Sequence, residues 1–192
     1  DYFRYYRYGD KHLLAFAAGK PFTGVFDAVL GSEVADKLGY KLNDKIVVAH
    51  GAASTRFTLH DDKPFHVVGI LKPTGTPIDR TVHVSLEGIE AIHIDWVNGT
   101  KVPGYQISAD EALHKNLQPK LITAFMVGLK NRAAAVRVQR EINDYKREPL
   151  LATVPGVALA ELWQALGMFE TVLRIITSFV VIAGLLGMLT TL

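Results

Sequence analysis

ALAELWQALGMFETVLRIITSFVVIAGLLGMLTTL, Ala158–Leu192, decides the architecture of this chain. Arg174 is its last charged residue, and the 18 positions from Ile175 to Leu192 are uncharged and mostly apolar. All 21 Lys and Arg and all 19 Asp and Glu of the 192 residues therefore lie at or before position 174. At 1.5 Å per residue, an 18-residue helix reaches about 27 Å, close to the roughly 30 Å thickness of a bilayer's hydrocarbon core. The segment is apolar all round, and Gly184 and Gly187 would weaken a soluble helix while allowing close packing in lipid. It reads as a transmembrane helix, truncated where the chain stops. Residues 158–174 are amphipathic and contain no Pro, so the pattern predicts one continuous helix: a stalk over 158–174 that enters the bilayer at 175. Trp163 lies 12 residues before Ile175, too far out for an interfacial anchor, and is expected to pack on the soluble domain.

Working back from the stalk, residues 1–157 read as one soluble, strand-rich region. With 49% hydrophobic and 21% charged residues and no Cys, disordered, collagen-like and disulfide-stapled classes are excluded. A net charge of +2 is too small for a nucleic-acid footprint. No signal peptide precedes the polar, aromatic opening, so the sequence is expected to start inside a longer protein. That opening, Tyr2, Phe3, Tyr5, Tyr6 and Tyr8 with Arg4 and Arg7, reads as a strand or interface segment near a membrane rather than a stacking platform for single-stranded nucleic acid.

Local signals then place the elements. Ser32 is positioned to N-cap a short helix with Val34, Ala35 and Leu38 on one face and Gly39 just past its end. Ile46–Ala49 reads as a strand; Arg56–His60 and Phe65–Leu71 read as a hairpin across the turn Asp61, Asp62, Lys63, Pro64. Thr81–Ser85 is another strand, Ser85 starts a helix carrying Leu86, Ile89 and Ile92, and Ser108 with Glu111 has capping-box spacing. Leu121–Leu129 is apolar enough for a buried strand. Asn131 caps a helix with Ala135, Val138, Ile142 and Tyr145 on one face and an Arg137/Glu141 pair one turn apart, ended by Pro149. The sum is an α+β domain of two subdomains over 1–157, a stalk helix over 158–174 and a transmembrane helix over 175–192.

No P-loop, GxSxG elbow or HExxH is present, and a chain without Cys has no thiol nucleophile or thiolate metal site. Gly75, Thr76 and Pro77, between Lys72 and Asp79, read as a turn, lacking the repeated glycines of a phosphate cradle. Histidine is the enriched chemistry, at positions 12, 50, 60, 66, 83, 93 and 114. His60 and His66 flank the short turn, where hairpin register could bring both imidazoles to a zinc ion with Asp61 or Asp62 supplying oxygen. The competing reading, which the lack of a fixed motif spacing favours, makes them ordinary exposed hairpin positions. His93 with Asp95 and His83 is a weaker grouping of the same kind.

The order of these pieces resembles the extracytoplasmic core of the MacB/FtsX-like family of ABC-transporter permeases. The similarity is carried by FAAGKPF at Phe16–Phe22, AVLGSEVADKLGYKLNDKIVV at Ala28–Val48 and FHVVGILKPTGTPIDRTVHVSL at Phe65–Leu86, which resemble that family's strand and turn, strand–helix–strand unit and hairpin. Glu161–Leu192 resembles the stalk and second membrane helix that open the family's membrane region. Ile92–Gln118 has no counterpart, and the acidic hairpin and the histidines depart from the family pattern.

The resemblance implies a non-catalytic permease subunit in the bacterial inner membrane, with residues 1–157 on the periplasmic side. It implies an ATP-binding partner subunit, a homo- or heterodimer of permeases and a periplasmic accessory protein. No cofactor is expected beyond the zinc reading of His60 and His66, and no nucleic-acid partner. The competing class is a membrane-anchored ligand-binding sensor, including a metal-linked one. A secreted metallohydrolase is disfavoured because no base or nucleophile stands at a recognisable spacing.

Overall fold

The computed structural model describes residues 2–48, 60–97, 100–102 and 104–190. The chain is mixed α/β, with a sheet-rich region and a long C-terminal helix, and divides into two compact units, Asp1–Met126 and Val127–Leu192. The sequence boundaries at 157 and 174 both fall within the second unit.

The first unit is built around β4, Asp27–Leu30, whose Ala28, Val29 and Leu30 are completely buried. A strand covered on both faces reads as a continuous apolar run rather than an alternation. β4 pairs in parallel with β6, Phe65–Leu71, and antiparallel with β7, Val82–Val84. The other edge of β6 is shared by two short antiparallel strands: β5, Lys45–Ile46, beside its start and β3, Phe16–Gly19, beside its end. A register shift opposite Ala28/Val29 inverts the facing of β6 partway along. Phe65 and Val67 consequently join Ala28, Leu30, Ala35, Ile46 and Ile92 on one face of the sheet, whereas Leu71 joins Leu14, Val29 and Ile78 on the other. Each fully buried Val, Leu or Phe contributes about 1.5–3 kcal/mol, so β4 and β6 dominate the stability of this unit.

α2, Ser32–Leu38, follows β4 directly and ends with Gly39 in the left-handed conformation, φ 72°, as its position predicts. Ser32 does not cap it. Gly31 occupies that position, and Ser32 begins the helix with its hydroxyl turned to the Asp79 carboxylate. Gly31 is required there, because a Cβ would run into the carbonyl oxygens of Ile78 and Asp79. Ser85 caps α3, Leu86–His93, by accepting from Gly88 N at 2.9 Å. The buried face of α3 is Gly88, Ala91 and Ile92, leaving Leu86 and Ile89 exposed. The capping box of Ser108 and Glu111 forms on α4, Ala109–Leu113.

The aromatic opening is not chiefly a strand. Tyr2–Tyr5 forms one helical turn, α1, which leads through Arg7–Tyr8 (β1) into a small antiparallel pairing with His12–Leu13 (β2). Tyr2, Phe3, Tyr6 and Tyr8 pack against the Leu14/Val29/Leu71/Ile78 cluster and so close one face of the sheet. A two-stranded pairing of Trp96–Val97 (β8) with Thr100–Lys101 (β9) follows α3.

Two other expectations are corrected. Leu121–Leu129 forms no strand, and its side chains are exposed, Leu121 at 90% and Met126 at 76%. It straddles the boundary between the units, where no described strand pairs with it, and an apolar run without a pairing partner does not become a buried strand. In the second unit Asn131 caps a 3₁₀ turn, Arg132–Ala134, that runs into α5, Ala135–Asn143. This helix stops well before Pro149. Asn143 Oδ1 instead accepts from Ala152 N at 2.7 Å and Gln139 Nε2 donates to Ala152 O at 3.1 Å, folding the chain back along α5. The expected Arg137–Glu141 pair is present at 3.9 Å.

Candidate functional site

The Asp61–Pro64 turn forms as its composition predicts, but it turns one side chain inward. Lys63 is completely buried, its Nζ 2.8 Å from Asp62 Oδ2 and 2.9 Å from Asp95 Oδ2. Asp95, just beyond the end of α3, is also completely buried; its Oδ2 additionally accepts from Ile107 N at 3.2 Å, while Oδ1 has no hydrogen-bond partner among the described residues. One ammonium thus ties the turn before β6 to the end of α3 and to the segment leading into α4. Burial by itself would lower the Lys63 pKa, but the Asp62 and Asp95 carboxylates outweigh it and hold the ammonium above its ordinary range. An amine held in this way is a structural cation rather than a base. Nothing in the sequence pointed to it, since a Lys in an Asp-Asp-Lys-Pro turn reads as solvated and its buried partner lies 32 residues away.

His60 packs beside this clamp. It is 1% exposed, with ring centroids 4.7 Å from His93 and 4.4 Å from Trp96, and His93 Nδ1 lies 2.7 Å from Ile89 O. His66 stands elsewhere, exposed on β6 between Asp27 of β4 and Lys45 of β5. Both strand positions beside His66 are taken, so the hairpin register that would set His60 opposite it does not form. Residues 56–59 of that expected hairpin, Ala49 of the strand before it and His50 lie outside the described residues. The bland alternative also needs amending, because His60 is a core residue and not an exposed one. Asp61 remains exposed, and Asp62 is engaged with Lys63. Among the described residues no three His, Asp or Glu side chains gather into a metal-ligating group. His83 joins the aromatic cluster at the other face of the sheet, and His12 stacks on Tyr8.

The turn between Lys72 and Asp79 holds an anion, and that anion is its own. Asp79, 4% exposed, accepts from Thr74 N (2.8 Å), Gly75 N (2.8 Å) and the Thr74 hydroxyl (2.8 Å), and from Ser32. Burial would raise its pKa, but these donors together hold the carboxyl below the ordinary range. The backbone N–H groups that a phosphate would need are occupied. The loop therefore acts as a fastener between the end of β4 and the 3₁₀ turn Pro77–Arg80.

The second unit presents α6, Pro155–Thr190, 36 residues without a break. It begins three residues before the expected stalk, with Pro155 in the first turn, where a missing N–H costs nothing. At 1.5 Å per residue it measures about 54 Å, far more than one bilayer's hydrocarbon core. Its best 18-residue window has a mean hydropathy of 2.3, and none of that window is buried. Thr171 and Ser178 donate to Gly167 O and Arg174 O one turn back, at 3.0 and 2.8 Å, which satisfies their hydroxyls without a partner outside the helix. Arg174 pairs with Glu170 at the edge of the uncharged stretch. Trp163 lies on α6 with 70% of its surface exposed within this unit.

The chain matches no protein-family model, no curated protein and no solved structure.

Proposed function

We propose that this chain is part of a permease subunit of an ABC transporter of the MacB/FtsX-like kind, coupling ATP hydrolysis by a partner subunit to movement outside the membrane. In this reading residues 1–157 form an extracytoplasmic domain of two subdomains, which engages an exported molecule or an accessory protein. Residues 158–174 are the stalk and 175–192 the span, in a bacterial inner membrane and within a permease dimer. The observation that carries the proposal is the unbroken α6. It is longer than a simple anchor requires, with about 20 residues between Pro155 and the start of the uncharged stretch. The strand–helix–strand unit β4–α2–β5 and the strand β6 support it at the positions on which the family resemblance rests.

A helix transmits displacement along its axis only while its hydrogen-bond ladder is continuous. Leu166→Pro removes one of those bonds and clashes with the preceding turn, at about 3 kcal/mol or more, in the second unit rather than in the sheet-bearing first one. In the assembled transporter, transport-linked stimulation of ATPase activity should be lost while thermal unfolding of the first unit is unchanged. Stimulation that survives the proline would remove the coupling role and favour the membrane-anchored sensor.

A further inference from the structure

The imidazole of His83 sits in a setting that the proposed coupling role does not use. β7 places it in register with Val29 of the central strand, on the face covered by α1. Its ring lies 5.1 Å from Tyr2 at a shallow 32° tilt and 5.7 Å from Phe3 edge-on. Phe3 in turn contacts Phe16 and Phe22, and Tyr2 contacts Tyr6. Within this aromatic packing His83 Nε2 is buried and has no hydrogen-bond partner among the described residues.

A neutral imidazole tolerates an apolar socket of this kind. An imidazolium does not, because its second N–H then needs an acceptor or water. We propose that His83 is an acid-sensitive latch: neutral, it seats the N-terminal aromatic turn Tyr2–Tyr6 on the sheet, and protonated, it releases that turn to solvent.

The titratable groups that the N-terminal turn brings to this cluster are the phenols of Tyr2 and Tyr6, and burial together with the neighbouring Tyr6 pushes the Tyr2 pKa up. Arg4 lies over the ring of Tyr5, itself exposed; from β4 the neighbour is Val29; on the β1–β2 pairing His12 is engaged with Tyr8. Among the described residues no carboxylate compensates an imidazolium at His83. Burial accordingly lowers its pKa.

The sign follows from linkage. The seated state has the lower pKa and the released state the ordinary value of about 6.5, so seating is at full strength above 6.5. It weakens as pH falls from there toward the seated value, by about tenfold per pH unit. Above neutrality the turn stays closed.

Hydrogen exchange of residues 2–8, corrected for intrinsic rates, tests this on the full chain in lipid nanodiscs at pH 8.0 and 5.5. In the wild type, protection of this segment should fall about tenfold at pH 5.5, while that of β4 and β6 persists. His83→Phe, which keeps an apolar ring in the socket, should hold protection at both pH values. Constant protection in the wild type, or an equal loss in His83→Phe, overturns the latch. Should His83→Phe fail to fold, the wild-type His83 resonance titrated by NMR decides: a midpoint below 6.5 that tracks the loss of protection supports the latch, and a midpoint at or above 6.5 overturns it.

Discussion

Lys63→Met is the sharpest perturbation of the first unit. The substitution keeps a long unbranched side chain in place and deletes only the ammonium, so that the completely buried Asp95 loses the cation 2.9 Å from its Oδ2. Removing one member of a buried ion pair costs about 3–5 kcal/mol, most of it the penalty of an uncompensated buried charge. For a unit of this size, at roughly 4 °C per kcal/mol, the unfolding midpoint should fall by about 12–20 °C. Lys63→Met/Asp95→Leu removes that penalty as well. It should recover about half of the loss, the remainder reflecting an Ile107 N–H left without its acceptor. Because the Lys63 pKa is raised in the folded state, its contribution is fully present below the unfolded value of about 10.4 and is lost only as pH rises through the higher folded value. Titration of Lys63 should therefore add no pH dependence to the wild-type stability from pH 6 to 9. Circular dichroism melts of the full chain in nanodiscs measure all of this. A loss below about 1 kcal/mol, or a double variant no more stable than the single one, would refute the clamp.

Two further outcomes are expected. Asp79→Ala should lower stability by about 2–4 kcal/mol in urea titrations at pH 7, because the carboxylate's several donors lose their acceptor together. Its folded pKa is depressed, so the contribution of its charge is complete above the unfolded value of about 3.9 and is lost as pH falls through the folded one; the gap between wild type and Asp79→Ala should narrow by pH 3. Gly184→Arg should cost about 2.5–3.5 kcal/mol in a translocon insertion assay of α6, and an unmodified segment that partitions to the soluble fraction would remove the membrane reading altogether.

Elements whose cause is local were legible in the sequence. β6 occupies the residues that its apolar pattern marks, Gly39 ends α2, Ser85 and the Ser108/Glu111 box open their helices, and α6 runs without interruption from a Pro-free apolar pattern. In each, the cause lies within a few residues of the effect: a cap, a left-handed position, a periodicity. Ser32 was misread because both it and Gly31 suit an N-cap, and the choice is made by Asp79, 47 residues on, which claims the Ser32 hydroxyl. Leu121–Leu129 has the composition of a strand, but a strand exists only when another pairs with it.

The sequence by itself determined the charge asymmetry that makes α6 apolar enough to cross a membrane, since lipid compatibility is a property of composition along one helix. Only the tertiary structure decided the roles of Lys63, Asp95, Asp79, His60 and His83. A polar side chain reads as solvated in sequence, and what reverses that reading is a partner or a socket supplied by a distant element. Lys63 meets Asp95, His60 meets His93 and Trp96, and His83 meets the N-terminal aromatics because parallel pairing of β4 with β6, and α3 behind them, bring separate stretches of chain to one place. Burial of a charge is a property of that assembly, and no local pattern encodes it.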